Sequence, residues 1–119
     1  MTGLSLAIHL NGQNFTMDNG STLNFYSSTW EWSNHKMYDT EEVLRSYTFK
    51  GNYTHLGQVA TMISTHYRLP EDSDWVEWQG QWTATLQENN RIYVNYDGAV
   101  NSRMLLQEGF LNIQGGVLK

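Results

Sequence analysis

At 119 residues the chain, 1–119, has the length of one domain, enough to bury a single core without disulfide or metal staples. It has no cysteine, which excludes a disulfide framework, a thiolate zinc site and a cysteine nucleophile. A formal charge of -5 with only 7 Lys plus Arg excludes the basic surface that nucleic acid and anionic lipid require, and no stretch approaches the roughly 20 apolar residues of a membrane helix.

Leu4, Leu6, Ile8 and Leu10 alternate with Ser5, Ala7, His9 and Asn11, which predicts a half-buried strand, not a signal peptide, with Asn11-Gly12 as a tight hairpin turn. Phe15 and Met17 carry the return strand to a second turn at Asn19-Gly20. Leu23 and Phe25 open a third strand running toward Trp30 and Trp32. From Ser33 to Glu42 the alternation is lost, and Asp39 with Glu42 has the form of an N-cap and its reciprocal partner, which predicts a short helix of one or two turns. Tyr47, Phe49, Gly51 and Tyr53 recover period two. Between Gln58 and Tyr67, Val59, Met62, Ile63 and His66 also fit a helical face, but Thr61, Ser64 and Thr65 favour a strand, which is the expectation.

The only proline, Pro70, starts a polar loop through Glu71, Asp72, Ser73 and Asp74. Val76, Trp78, Gly80, Trp82, Ala84 and Leu86 then alternate with polar residues and predict one long strand with a dry and a wet face. Asn89-Asn90 turns the chain into Ile92, Val94 and Tyr96, and Asp97-Gly98 turns it again. Leu105 and Leu106, then Leu111 and Ile113, supply the last strands before Gly115-Gly116. About eight short strands with one short helix predict an all-β, antiparallel up-and-down barrel. A closed sheet has no edge to protect, and Gly51 and Gly80 sit mid-strand where a sheet must bend; a two-sheet sandwich is the alternative.

Leu10-Asn11-Gly12-Gln13-Asn14-Phe15, the run Asp18-Asn19-Gly20-Ser21-Thr22-Leu23-Asn24-Phe25 and Tyr47-Thr48-Phe49-Lys50-Gly51-Asn52-Tyr53 together resemble the lipocalin-like proteins of the calycin group, over the first half of the chain. The early Gly-x-Trp of classical lipocalins is absent, Asn14 standing where its tryptophan would be. The resemblance implies a small barrel enclosing a cavity for a small, mostly apolar molecule. It carries over no site residue and implies no cofactor.

Trp78 and Trp82 share a strand face with Gly80 between them, which reads either as core packing, the glycine accommodating a large residue of a neighbouring strand, or as two indoles flanking an expected gap that a flat or cyclic ligand would fill. Tyr47, Phe49 and Tyr53 share a face around Gly51, and Trp30 and Trp32 share another. With Met62, His66 and Tyr96 these residues form the expected ligand-lining set, more aromatic than a dense core of this size needs. Of the histidines His9, His35, His55 and His66, no two have metal-ligand spacing, and His66 is the one expected to project into the barrel. The acidic loop lacks the glycine and distal Glu of a calcium loop, so no metal is expected. Asn14, Asn19 and Asn52 head Asn-x-Ser/Thr triplets that a chain rich in these residues produces by chance.

The leading functional expectation is therefore binding of a small apolar or aromatic molecule by a soluble protein, with the cytoplasm as its simplest compartment; a mature exported domain would read alike, and a homodimer is compatible. One alternative is a barrel enzyme of cyclase or isomerase type using the same cavity. Its acid-base candidates are Asp74, Glu77, Arg91, Tyr96 and Arg103, with no Ser-His-Asp order, P-loop or glycine fingerprint to support them. The other is a carbohydrate- or protein-binding module with exposed tryptophans.

Overall fold

The computed structural model describes residues 10–38, 41–87, 91–99 and 113–118. They form nine strands: β1 (Asn14–Met17), β2 (Thr22–Phe25), β3 (Thr29–Tyr38), β4 (Leu44–Leu56), β5 (Val59–Arg68), β6 (Val76–Glu77), β7 (Gly80–Gln87), β8 (Arg91–Ala99) and β9 (Ile113–Leu118). Every pairing is antiparallel, and the ladder runs β1, β2, β3, β4, β5, β7, β8, β9 and back to β1. Eight strands thus make a nearly closed barrel, compatible with a lipocalin-like fold, and β6 is a two-residue extension beside the end of β5. This ring replaces the sandwich alternative. No helix among the described residues is long and apolar enough to cross a membrane.

The alternation predicted from sequence sets the inside. Phe15 and Met17, Leu23 and Phe25, Trp30 and Trp32, Tyr47, Phe49 and Tyr53, Ala60 and Met62, Trp82 and Ala84, and Ile92 and Val94 are all buried in one core. Gly20 and Gly57, at φ 86° and 63°, supply the positive backbone angles of the β1–β2 and β4–β5 reversals.

Several boundaries differ from the sequence expectation. The strand from Leu23 does not run on to Trp32: it reverses at Tyr26, Ser27 and Ser28, so that Phe25 pairs with Trp30 and Leu23 with Trp32. The short helix does not form in 33–38. The lost alternation there is a β-bulge, since Trp32 pairs with Phe49 but His35 with Tyr47, leaving Ser33 and Asn34 opposite one residue. Asn34 takes φ 63°, a conformation that asparagine tolerates better than most residues. Asp39 lies outside the described residues, and Glu42 sits in the bend before β4.

The long strand of the second half breaks at Trp78 and Gln79 into β6 and β7. Asp97-Gly98 does not turn the chain: β8 continues through it to Ala99, with Asp97 bulged out between the Trp82–Tyr96 and Gln81–Gly98 pairs. Likewise β9 runs through Gly115-Gly116, which pair with β8. The expected strand at Leu4–Ile8, the Asn89-Asn90 turn and Leu105, Leu106 and Leu111 lie outside the described residues.

Gly51 marks the closest strand approach. A Cβ there would meet the Ile63 carbonyl oxygen and come within 2.6 Å of Ser64 Cα, both backbone atoms of the bulged strand β5. Gly51→Ala is therefore expected to cost about 3 kcal/mol of stability in urea unfolding, whereas a loss below about 0.5 kcal/mol would show that β5 retreats freely.

Candidate functional site

The interior is a connected stack of aromatic rings gathered on Trp82. Its ring centroid lies 5.6 Å from Trp30, 5.9 Å from Trp32, 5.1 Å from Phe49, 6.0 Å from Trp78 and 5.3 Å from Tyr96. β3 and β7 are separated by two strands on the shorter way round the ring, so these contacts cross the barrel interior. Tyr47 stacks on Phe49 at 5.6 Å, and Tyr67 closes on both edges. Tyr53 packs against Phe25 at 5.1 Å and donates its hydroxyl to the Tyr26 carbonyl at 2.6 Å, tying β4 to the β2–β3 turn. Met62 is buried in the same core, and Trp30 donates its indole N–H to the Asn52 carbonyl at 2.9 Å.

A polar network is set into this apolar lining. Trp32 Nε1, which can only donate, lies 2.7 Å from Ser21 Oγ, so the serine oxygen accepts. Its own proton then goes to Asn19 Oδ1 at 2.5 Å, and the Ser21 backbone N–H donates to the same oxygen at 3.0 Å. Both donors fix the amide with its oxygen toward Ser21. Asn19 Nδ2 consequently donates to His35 Nδ1 at 2.8 Å. The neutral ring must therefore carry its proton on Nε2. His35 is fully buried, stacked on Trp32 at 3.8 Å and 6.1 Å from Phe49. Burial, and secondarily the charge of Lys36, push its pKa down to about 3, so the imidazole is neutral across the physiological range.

His35 Nε2 has no hydrogen-bond partner among the described residues, and neither do the indole nitrogens of Trp78 and Trp82. All three are buried N–H donors, and their rings all pack on Phe49, with Trp78 at 5.6 Å. Tyr96 is half-buried beside Trp82, and burial pushes its phenol pKa up to about 12. Leaving a buried donor unmade costs on the order of 1–3 kcal/mol, so such groups are uncommon in a folded interior.

The gap expected beside Gly80 is filled by the protein itself. Where the chain leaves the sheet at Trp78, the indole folds back, and a Cβ on Gly80 would lie 2.7 Å from its Cζ3. Ser64 fixes this bend, accepting from the Gly80 N–H at 2.8 Å and donating to the Trp78 carbonyl at 3.1 Å.

His66 does not project inward. β5 bulges at Thr65, because Gly51 pairs with Ser64 but Lys50 with His66, and Phe49 with the buried Tyr67. His66 is thereby turned to the outer face, where its Nδ1 lies 2.8 Å from Thr65 Oγ1. The bulge in β3 does the opposite for His35, whose only sequence signal was Ser33-Asn34 interrupting the alternation after Trp32.

The remaining polar candidates are outside. Asp74 and Glu77 are exposed, Arg91 faces Asp18 at 4.0 Å, and Arg103 lies outside the described residues. In the acidic loop Asp72 accepts from the Leu69 N–H at 3.0 Å and Glu71 meets Arg45 at 3.4 Å. No group of three metal-ligating side chains occurs among the described residues. A groove of about 240 Å³ on the outer wall, between Tyr26, Glu31, Lys50 and Asn52, has no such buried donors. Asn19 is spent on the interior network, so its Asn-x-Ser triplet serves the fold.

Compared with protein-family models, curated proteins and solved structures, the chain matches none.

The lowered pKa of His35 makes stability depend on pH. Above about 6.5 both folded and unfolded chains hold it neutral; between about 6.5 and about 3 only the unfolded chain takes the proton, so stability falls with pH through that window. This one group contributes at most about 1.4 kcal/mol per pH unit. Urea unfolding of the wild type from pH 7 to pH 4 is expected to fall more steeply than that of His35→Phe. Equal slopes would show that His35 accepts a proton in the folded protein.

Proposed function

We propose that the barrel binds a small, largely apolar or aromatic molecule within its aromatic interior. The observation that carries this reading is the set of buried N–H groups on His35, Trp78 and Trp82, each lacking an acceptor among the described residues. An eight-stranded barrel has an interior just wide enough to be filled by side chains or to hold one small ligand. Rings meet around Trp82, so in this reading the ligand lies against that cluster. The resemblance of the first half of the chain to calycin barrels, which enclose such molecules, supports the same reading.

Binding is favoured over catalysis by what the interior offers. Among the described residues the buried polar side chains are Ser21, His35 and Ser64, and none is a carboxylate able to act as a general base. His35, held neutral, orients an acceptor and does not deliver a proton at neutral pH. A surface platform of tryptophans has little support, since Trp30, Trp32, Trp78 and Trp82 are buried and only Trp75 reaches the outer face, between Lys50 and Arg68.

The test is an NMR screen of small neutral aromatic and aliphatic fragments against the intact chain, following the five indole N–H resonances. Bound fragments are expected to move the Trp78 and Trp82 signals by more than that of Trp75. Fragments that move only Trp75, or none at all, would place recognition outside the barrel.

A further inference from the structure

We propose that the interior ligand is an uncharged molecule bearing a carbonyl-type oxygen, and that this oxygen accepts the Nε2–H hydrogen bond of His35. The proposal rests on interior binding and adds the chemistry of what is bound.

The direction of the His35 bond follows from groups that have no choice. The Trp32 indole and the Ser21 backbone N–H only donate, which orients Ser21 and then Asn19, and Asn19 Nδ2 presents a proton to His35 Nδ1. The imidazole cannot reverse its role without leaving Asn19 Nδ2 facing another N–H. Its remaining nitrogen is therefore a donor locked in place, stacked on Trp32 and fully buried. Trp78 Nε1 and Trp82 Nε1 are donors by chemistry alone. A bound molecule must bring acceptors to this set.

The charge of that molecule follows from the lining. The buried polar side chains among the described residues include no lysine or arginine, and burying a carboxylate without a cation costs far more than one hydrogen bond returns. A ketone, aldehyde, ester or amide oxygen accepts from N–H donors without carrying a charge into the apolar stack. The mutually packed rings of Phe49, Trp78 and Trp82 make the surroundings aromatic, which suits an aromatic body behind it.

Three naphthalenes of nearly equal shape separate the alternatives on the unaltered chain: 2-acetylnaphthalene, 2-ethylnaphthalene and 2-naphthoate at pH 7, each titrated while the Trp78 and Trp82 indole resonances are followed. The ketone is expected to bind about tenfold more tightly than the hydrocarbon, the value of one buried hydrogen bond, and more tightly than the carboxylate. His35→Phe is expected to erase the ketone's advantage over the hydrocarbon. Equal binding of ketone and hydrocarbon, or tighter binding of 2-naphthoate, would overturn this proposal and leave interior binding standing. If none of the three binds, the interior-binding reading falls and this proposal with it. The three-probe comparison needs no variant, so it decides even if His35→Phe fails to fold.

Discussion

The Trp32 indole has one N–H and no acceptor atom, and it is buried with that N–H on Ser21 Oγ. From that donor the rest of the interior network takes its direction: the serine proton goes to Asn19 Oδ1, the amide is oriented, and the His35 tautomer is set. The Ser21 backbone N–H imposes the same amide orientation independently. A network with every member but the last satisfied concentrates its unmet hydrogen-bonding capacity at one atom, His35 Nε2. In the proposed reading, that atom is the one that would meet a ligand.

Most of the barrel was legible from alternation, because period-two patterning sorts side chains to one face regardless of what the other strands do. Trp30 and Trp32, Tyr47, Phe49 and Tyr53, and Val94 are buried as their spacing implies. What alternation does not reveal is where it slips by one residue. The bulge at Ser33-Asn34 brings His35, expected within a short helix, into the barrel, and the one at Thr65 carries His66 outside, against the sequence expectation. A bulge needs only one residue in an unusual conformation, and Asn34 at φ 63° is a weak signal amid a chain rich in asparagine. The β2–β3 reversal at Tyr26-Ser27-Ser28 was hidden for a related reason: it rests on serine, a weaker turn former than the glycine, proline, asparagine or aspartate of the other reversals.

The aromatic excess also has a mixed outcome. Trp78 fills the space beside Gly80 with its own ring, and Trp82 joins β7 to rings from β3 and β4, so part of the surplus is packing. Yet tryptophan brings a polar atom with its bulk, and Trp30 and Trp32 have partners for theirs while Trp78 and Trp82 do not. Phenylalanine would supply an apolar ring without that cost. The core thus holds two indoles with a hydrogen-bond acceptor and two without one among the described residues.

The measurement that bears most directly on this account is a long-range proton–nitrogen correlation spectrum of the imidazole rings in the uniformly nitrogen-labelled protein. The account predicts that His35 is the neutral tautomer protonated at Nε2, with Nδ1 unprotonated, and remains so at pH 5. A ring protonated at Nδ1, or at both nitrogens, would contradict the direction of the Trp32–Ser21–Asn19–His35 network and with it the proposed mode of ligand binding.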